Sequence, residues 1–125
     1  MDTRKQKKVL VVDDDRQFLE AMRLILESHG YEVLIAHDGN EGLMFAERET
    51  LDLIVLDVMM PRRSGFGVLD RIGGRGDSGP RILVMTANDE DRHREIAFSK
   101  GADRFLHKPF DMRDLLATVD ALLTP

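Results

Sequence analysis

The sequence predicts an α/β domain, a three-layer sandwich in which a five-stranded parallel sheet lies between two layers of helices. Five short runs of apolar, mostly β-branched residues recur along the chain, and each is followed by a segment with helical spacing of its apolar residues. Runs such as LIVL and ILVM are apolar throughout, which is typical of strands buried on both faces of a parallel sheet. A chain of 125 residues, 42% of them hydrophobic, can bury the core of one such domain.

Strands and helices are predicted to alternate along the whole chain. The predicted strands are Val9 to Val12, Val33 to Ala36, Leu53 to Leu56, Ile82 to Met85, and Phe105 to Leu106. Four glycines and a proline between Gly73 and Arg81 prevent a helix from continuing there and predict a loop before the fourth strand.

Each helix is recognised by an apolar stripe with a period near 3.6 residues. In chain order the stripes are Phe18, Met22, Ile25 and Leu26; Leu43 and Ala46; Val68, Leu69 and Ile72; Ile96 and Ala97; and Leu115, Val119, Leu122 and Leu123. The pattern is therefore a (βα) unit repeated five times.

Composition excludes several functional classes. The 18 basic and 23 acidic residues give a formal net charge of −5, and no basic face is interleaved with aromatic residues, so we expect no direct nucleic-acid binding. The basic opening MDTRKQKK precedes only four apolar residues, too few for a membrane span or a signal peptide. We expect residues 1–7 to be a solvated basic tail ahead of a domain at residues 8–125, with no membrane attachment.

The absence of cysteine excludes thiol chemistry and suits a reducing compartment, so we expect a cytoplasmic location. The four histidines share no metal-ligand spacing, so we expect no zinc site.

Polar residues stand at the ends of four predicted strands. Asp13 and Asp14 follow the first strand, Asp57 follows the third, Thr86 the fourth and Lys108 the fifth. The carboxyl ends of parallel strands meet at one edge of the sheet, which is where open α/β sheets bind their ligands. These five residues are therefore expected to form one site.

Three carboxylates at one edge repel one another unless a cation holds them together. Mg²⁺ suits this arrangement because it takes one or two carboxylates, keeps several waters and completes its shell with phosphate oxygens. Three aspartates, one Mg²⁺ and Lys108 sum to a nearly neutral pocket. Asp15 is kept outside the site, because an acid at the start of a helix is usually an N-cap.

The residue types suggest phosphoryl chemistry with a carboxylate nucleophile. Asp57 stands alone after its strand and is the candidate phosphoacceptor, whereas Asp14 is expected to ligate the metal directly and Asp13 through water. Thr86 and Lys108 are expected to receive the phosphoryl oxygens.

Four motifs in order and at matching spacing resemble the response regulator receiver domains of two-component signal transduction, and the resemblance is to chemotaxis-regulator-like members. The motifs are VLVVDDD at Val9 to Asp15, DVMMPRRSG at Asp57 to Gly65, VMTA at Val84 to Ala87, and KPF at Lys108 to Phe110. The match covers almost all of the chain, from Lys8 to Leu123.

The resemblance implies a flavodoxin-like fold with strand order 2-1-3-4-5. It also implies that Met59 offers a backbone carbonyl to the metal, that the Lys108-Pro109 bond is cis, and that Phe105 is the rotating aromatic of the switch. Many members have tyrosine at this last position, so the ring here lacks a hydroxyl.

By the same resemblance the chain is a signalling switch in a phosphorelay. It is expected to accept a phosphoryl group on Asp57, with Mg²⁺, from a sensor histidine kinase or phosphotransfer protein. The face made by the fourth helix, fifth strand and fifth helix then controls a downstream effector protein or a linked output domain. We expect no catalysis beyond its own phosphorylation and autodephosphorylation, and the oligomeric state stays open.

Three other functions fit these residues less well. A haloacid-dehalogenase-like phosphatase also uses a strand-end aspartate and Mg²⁺, but it needs a second acid where this chain has Met59. A flavin or nucleotide carrier needs a glycine-rich phosphate loop after the first strand, where Asp13 and Asp14 would instead repel a phosphate. A pseudo-receiver that only binds proteins does not need the complete set of pocket residues.

Overall fold

The computed structural model of the chain describes residues 6–59, 65–73, 79–87 and 91–124. The predicted alternation of strands and helices is confirmed. The strands are β1 Lys8–Val12, β2 Glu32–Ala36, β3 Leu53–Asp57, β4 Arg81–Thr86 and β5 Arg104–His107. The helices are α1 Arg16–Ser28, α2 Gly39–Arg48, α3 Gly65–Ile72, α4 Asp91–Ser99 and α5 Met112–Leu123.

The sheet confirms the predicted fold class. All of its strand pairs are parallel, and the strands lie in the order β2-β1-β3-β4-β5. The chain therefore moves outward from β1 to β2, crosses back to β3 on the other side of β1, and continues in that direction to β5. This is the flavodoxin-like arrangement, with its topological switch point between β1 and β3.

The two faces of the sheet support two separate hydrophobic cores. Successive side chains of a strand point to opposite faces. Val9 and Val11 therefore join the cluster covered by α1 and α5, which we name the α1/α5 core. Leu10 and Val12 join the cluster covered by α2, α3 and α4, which we name the α2–α4 core. The burial of β1 and β3 on both faces explains why their sequences are apolar throughout.

Two predicted site residues lie within strands and not after them. Asp57 is the last residue of β3, opposite Met85 of β4, and Thr86 is the last residue of β4, opposite His107 of β5. The strands extend beyond the apolar segments because backbone pairing does not depend on side-chain polarity. Both side chains are consequently buried.

The predicted stripe of α1 omitted one buried residue. Leu19, which the prediction omitted, is fully buried together with Met22 and Leu26, whereas Phe18 and Ile25 are only half-buried. Buried positions three and four residues apart share one helical face, and Phe18 lies at the margin of that face. The Phe18 ring is therefore placed near the carboxyl edge of the sheet and not at the centre of a core.

The predicted capping role of Asp15 is confirmed. Its carboxylate accepts hydrogen bonds from the amides of Gln17 and Phe18, at 3.1 and 3.2 Å. The bonds satisfy two of the amides that the first turn of a helix leaves without backbone partners. Asp15 thus fixes the start of α1 immediately after the acidic pair.

Gly65 allows α3 to begin directly against the end of β3. A Cβ atom at this position would lie 2.4 Å from the Asp57 carbonyl oxygen and 2.4 Å from the Val58 Cα. Because backbone atoms cannot rotate away, we expect Gly65→Ala to lower the free energy of unfolding by about 2 kcal/mol or more, measured by urea denaturation.

The matched control for this prediction is Gly42→Ala in α2. There the new Cβ would lie 3.0 and 3.2 Å from the two side-chain methyls of Val12, a smaller overlap than the one at Gly65, and alanine gains helix propensity. We expect a clearly smaller loss in the free energy of unfolding for Gly42→Ala. Equal losses in the two variants would contradict the steric explanation.

An acidic site at the carboxyl edge of the sheet

Two buried carboxylates stand side by side at the switch point of the sheet. β1 and β3 are neighbours, so Asp13, directly after β1, lies beside Asp57 at the end of β3. The two residues are 1% and 5% exposed. Buried carboxylates this close need compensating hydrogen bonds and positive charge.

Each of the two buried carboxylates accepts a backbone hydrogen bond from the residue two positions further on. The Asp15 amide donates to Asp13 Oδ1 at 2.9 Å, and the Met59 amide donates to Asp57 Oδ1 at 2.8 Å. These local bonds hold both side chains in one orientation. In each carboxylate the other oxygen, Oδ2, faces the pocket.

Lys108 supplies positive charge to both carboxylates. Its Nζ lies 2.5 Å from Asp13 Oδ2 and 3.4 Å from Asp57 Oδ2. The lysine follows β5, where its amide donates to the Thr86 carbonyl oxygen at 2.8 Å, and the predicted cis Lys108-Pro109 bond is confirmed. The sequence placed these groups together, and the structure adds that the ammonium bridges the two aspartates.

The pKa values of Asp13 and Lys108 are both raised. Burial raises the pKa of the Asp13 carboxyl above its ordinary value, against the hydrogen bond from Lys108, which lowers it. Burial alone would lower the pKa of Lys108, but the hydrogen bond and charge of Asp13, together with Asp57, raise it above its ordinary value. The Lys108 ammonium therefore favours the charged form of Asp13, and burial opposes it.

The three aspartates fit a hard divalent cation. Asp13, Asp14 and Asp57 each offer a carboxylate oxygen, and these oxygens lie within 4.8 Å of one another. Asp14 is exposed, so a metal held by its carboxylate would remain open to water and to an incoming ligand. Oxygen ligands with access for water are what Mg²⁺ requires.

Thr86 and Phe105 lie on neighbouring strands next to the acidic pair. Thr86 is fully buried at the end of β4. Phe105 of β5 pairs with Val84, which precedes Thr86 by two residues on β4. The Phe105 ring is half-buried against the α2–α4 core. The guanidinium carbon of Arg94 lies 5.1 Å from the ring centroid and covers part of its outer face.

Two residues that the sequence did not assign to the site contact it or its edges. Phe18 of α1 lies over the ammonium of Lys108, and the His107 ring approaches the Ala87 carbonyl oxygen at 3.1 Å. Neither contact has a sequence signal, because the partners are far apart along the chain. The segments 60–64 and 88–90, which include the rest of the DVMMPRRSG motif, lie outside the described residues.

Fold and site together define a flavodoxin-like α/β protein with an acidic, lysine-bridged pocket at its switch point. The family described as response regulator receiver domain matches residues 9–120. The chain is 47% identical over 116 residues to the response regulator MprA of Mycobacterium tuberculosis, a match that covers 93% of this chain and 50% of that protein.

Solved structures agree with this assignment. A response regulator receiver domain protein (CheY-like) from Methanospirillum hungatei superposes with a TM-score of 0.89 at 32% identity, covering 95% of this chain and 94% of that one. The chemotaxis protein CheY4 of Vibrio cholerae gives 0.87 at 33% identity, covering 95% and 100%. The chain belongs to the response regulator receiver family of two-component systems.

The chain spans about half the length of the curated relatives it matches, since the MprA alignment covers 50% of that protein. Among the residues that the structure describes, no helix is both long and apolar enough to cross a membrane.

Proposed function

We propose that this receiver domain is switched by phosphorylation of Asp57. The observation that carries the proposal is the environment of its carboxylate: Oδ1 is held by the Met59 amide at 2.8 Å, and Oδ2 faces the Lys108 ammonium at 3.4 Å. A nucleophile needs one oriented oxygen and nearby positive charge for the incoming phosphoryl group, and Asp57 has both.

Mg²⁺ is the proposed metal, and when bound it supplies positive charge against the oxygens of the phosphoryl group. Asp14 and Asp57 would ligate it directly, Asp13 through water, and Met59 through its backbone carbonyl. The clustering of the three carboxylate oxygens within 4.8 Å supports this set. The Met59 amide already donates to Asp57, so Met59 itself lies close to the pocket.

The proposed reaction is a direct transfer to Asp57. An oxygen of its carboxylate attacks phosphorus, a P–O bond forms to give an acyl phosphate, and the bond from phosphorus to the donor's leaving group breaks. Lys108 and the Thr86 hydroxyl then donate to the new phosphoryl oxygens. Hydrolysis removes the group again: water attacks phosphorus, the P–O bond to the Asp57 carboxylate breaks, and inorganic phosphate leaves. The domain therefore catalyses only its own phosphorylation and dephosphorylation.

The donor is proposed to be a sensor histidine kinase or phosphotransfer protein, as expected for a two-component receiver. The recipient of the signal is a downstream effector protein or an output domain in the same polypeptide. The second possibility is supported by the MprA relatives, of which this chain matches only half.

The proposed output face consists of α4, β5 and α5. Exposed arginines of this face are Arg92, Arg94, Arg104 and Arg113. They suit an acidic or amphipathic partner surface. Phosphorylation adds about one negative charge to the pocket, so Thr86 is expected to move towards it and Phe105 to turn further inward. For Phe105 the inward move starts from a half-buried ring and also requires the Arg94 contact to change.

Beryllofluoride, a tetrahedral mimic of a phosphoryl group, tests this proposal. With Mg²⁺ present we expect NMR shifts at Met59, beside the acceptor, and also at Phe105 and along α4. Thr86→Ala should keep the shift at Met59 and lose most of the shift at Phe105, because the hydroxyl that links pocket and ring is gone.

Thr86→Ser is the matched control, since it keeps the hydroxyl and should behave like wild type. The coupling is wrong if Phe105 does not respond in the wild-type domain, or if Thr86→Ala responds as strongly as Thr86→Ser.

A further inference from the structure

An aromatic ring from α1 covers the ammonium of Lys108. The Nζ atom lies 4.3 Å from the centroid of Phe18, within the range of a cation–π interaction. The Lys108 side chain is only 20% exposed, so the ring replaces water on one side of the charge. The same ammonium lies 2.5 Å from Asp13 Oδ2 and 3.4 Å from Asp57 Oδ2.

The position of Phe18 is set by the same turn that carries the acidic pair. The Asp15 amide donates to Asp13 Oδ1, and Asp15 Oδ1 in turn accepts from the Phe18 amide at 3.2 Å. The start of α1 is thereby tied to the orientation of the Asp13 carboxylate. A displacement of this turn would move the acid and the ring together.

The ring is also supported from the lysine loop. Phe110, two residues after Lys108, contacts Phe18 with a centroid distance of 6.0 Å and an interplanar angle of 72°. This is the edge-to-face geometry that aromatic pairs favour. Phe18 therefore contacts the lysine and is braced by the segment that follows it.

We propose that Phe18 is a positioning residue for Lys108, an inference that rests on the proposed phosphoacceptor role of Asp57. A lysine has a flexible four-carbon stem and readily turns its ammonium towards water. The Phe18 face removes that alternative and keeps the ammonium over the two aspartates, where the phosphoryl oxygens arrive. An aliphatic side chain of similar size would fill the space without attracting the charge.

The first test is the rate of Asp57 labelling by acetyl phosphate at saturating Mg²⁺. Phe18→Leu and Phe18→Met keep an apolar side chain but lose the π face, and we expect roughly ten-fold slower labelling at saturating donor. Phe18→Tyr keeps the face and should remain within about two-fold of wild type. The use of two aliphatic variants keeps the test valid if one of them fails to fold.

The matched control is Phe45→Leu. Phe45 packs against the α2–α4 core, on the other side of the sheet. It should lose stability as any half-buried phenylalanine does, but label at the wild-type rate.

The second test detects the contact between Phe18 and Lys108 without a phosphorylation reaction. Protons of the Lys108 methylene next to the ammonium should show an upfield ring-current shift in wild type and in Phe18→Tyr, and that shift should vanish in the two aliphatic variants. This readout does not depend on which residue accepts the phosphoryl group.

The outcomes distinguish a failure of the proposed function from a failure of the positioning role of Phe18. If wild type is not labelled on Asp57, the proposed function fails, and the ring-current shift alone tests whether the contact exists. If wild type is labelled and the aliphatic variants keep its rate, the positioning role is overturned. It is also overturned if Phe18→Tyr is slowed as much as Phe18→Leu, because the role would then be one of packing.

Discussion

Asp57→Asn is expected to eliminate incorporation of a phosphoryl group from acetyl phosphate, measured by intact mass in the presence of Mg²⁺. An amide oxygen is a far weaker nucleophile than a carboxylate, and the group it would form with phosphorus is not a stable acyl phosphate. Asparagine has nearly the shape of aspartate, and its oxygen can still accept the hydrogen bond that the Met59 amide makes at 2.8 Å. The fold should therefore survive the substitution.

Asp52→Asn is the matched control for this experiment. Asp52 directly precedes β3, at the edge of the sheet opposite the acidic site, where its carboxylate accepts from the Lys8 amide at 2.8 Å. The same chemical change at this end of the strand should leave labelling intact. Labelling of Asp57→Asn at the wild-type level would disprove the assignment of the acceptor.

Removal of Mg²⁺ should have the second-largest effect, on both the melting temperature and the labelling of Asp57. We expect Mg²⁺ to raise the melting temperature of wild type, because an ion that binds only the folded state stabilises it by about 2.7 kcal/mol at a hundred times its dissociation constant. Chelation should abolish both this rise and the labelling of Asp57. Asp14→Asn should remove the rise almost completely, since it deletes an exposed carboxylate of the cluster.

Asp15→Asn separates metal ligation by Asp14 from the effect of net negative charge at the site. It removes one negative charge next to Asp14, yet asparagine caps helices as well as aspartate, so α1 should begin unchanged. This variant should keep most of the Mg²⁺ response. Asp13→Asn should lose less than Asp14→Asn, given the proposed ligation through water. Equal losses in Asp14→Asn and Asp15→Asn would mean that the response reflects net charge and not a defined site.

The predictable part of the fold came from local patterns. Apolar runs identified the strands of the sheet to within one residue at each end, because a strand buried on both faces must be apolar throughout. The exact ends were missed because backbone pairing continues through Arg81, Asp57 and Thr86 irrespective of their polarity. Leu19 of α1 was omitted because Phe18 and Leu19 are both apolar, and only contact with the sheet decides which one is fully buried.

The candidate site was predictable for a different reason. Parallel strands deliver their carboxyl ends to one edge, so residues that follow strands in the sequence are brought together without any knowledge of side-chain contacts. This was enough to group Asp13, Asp14, Asp57, Thr86 and Lys108. The spacing of the family motifs then indicated a role for each residue.

Sequence patterns alone were thus sufficient for the fold class, the strand order through family resemblance, and the membership of the acidic site. Tertiary structure alone decided that Lys108 bridges Asp13 and Asp57, that Phe105 is half-buried, and that Phe18 covers the lysine ammonium. Such contacts depend on the directions of side chains from elements distant in the chain. Periodicity specifies which face of an element is apolar, but it carries no information about which group of another element that face will meet.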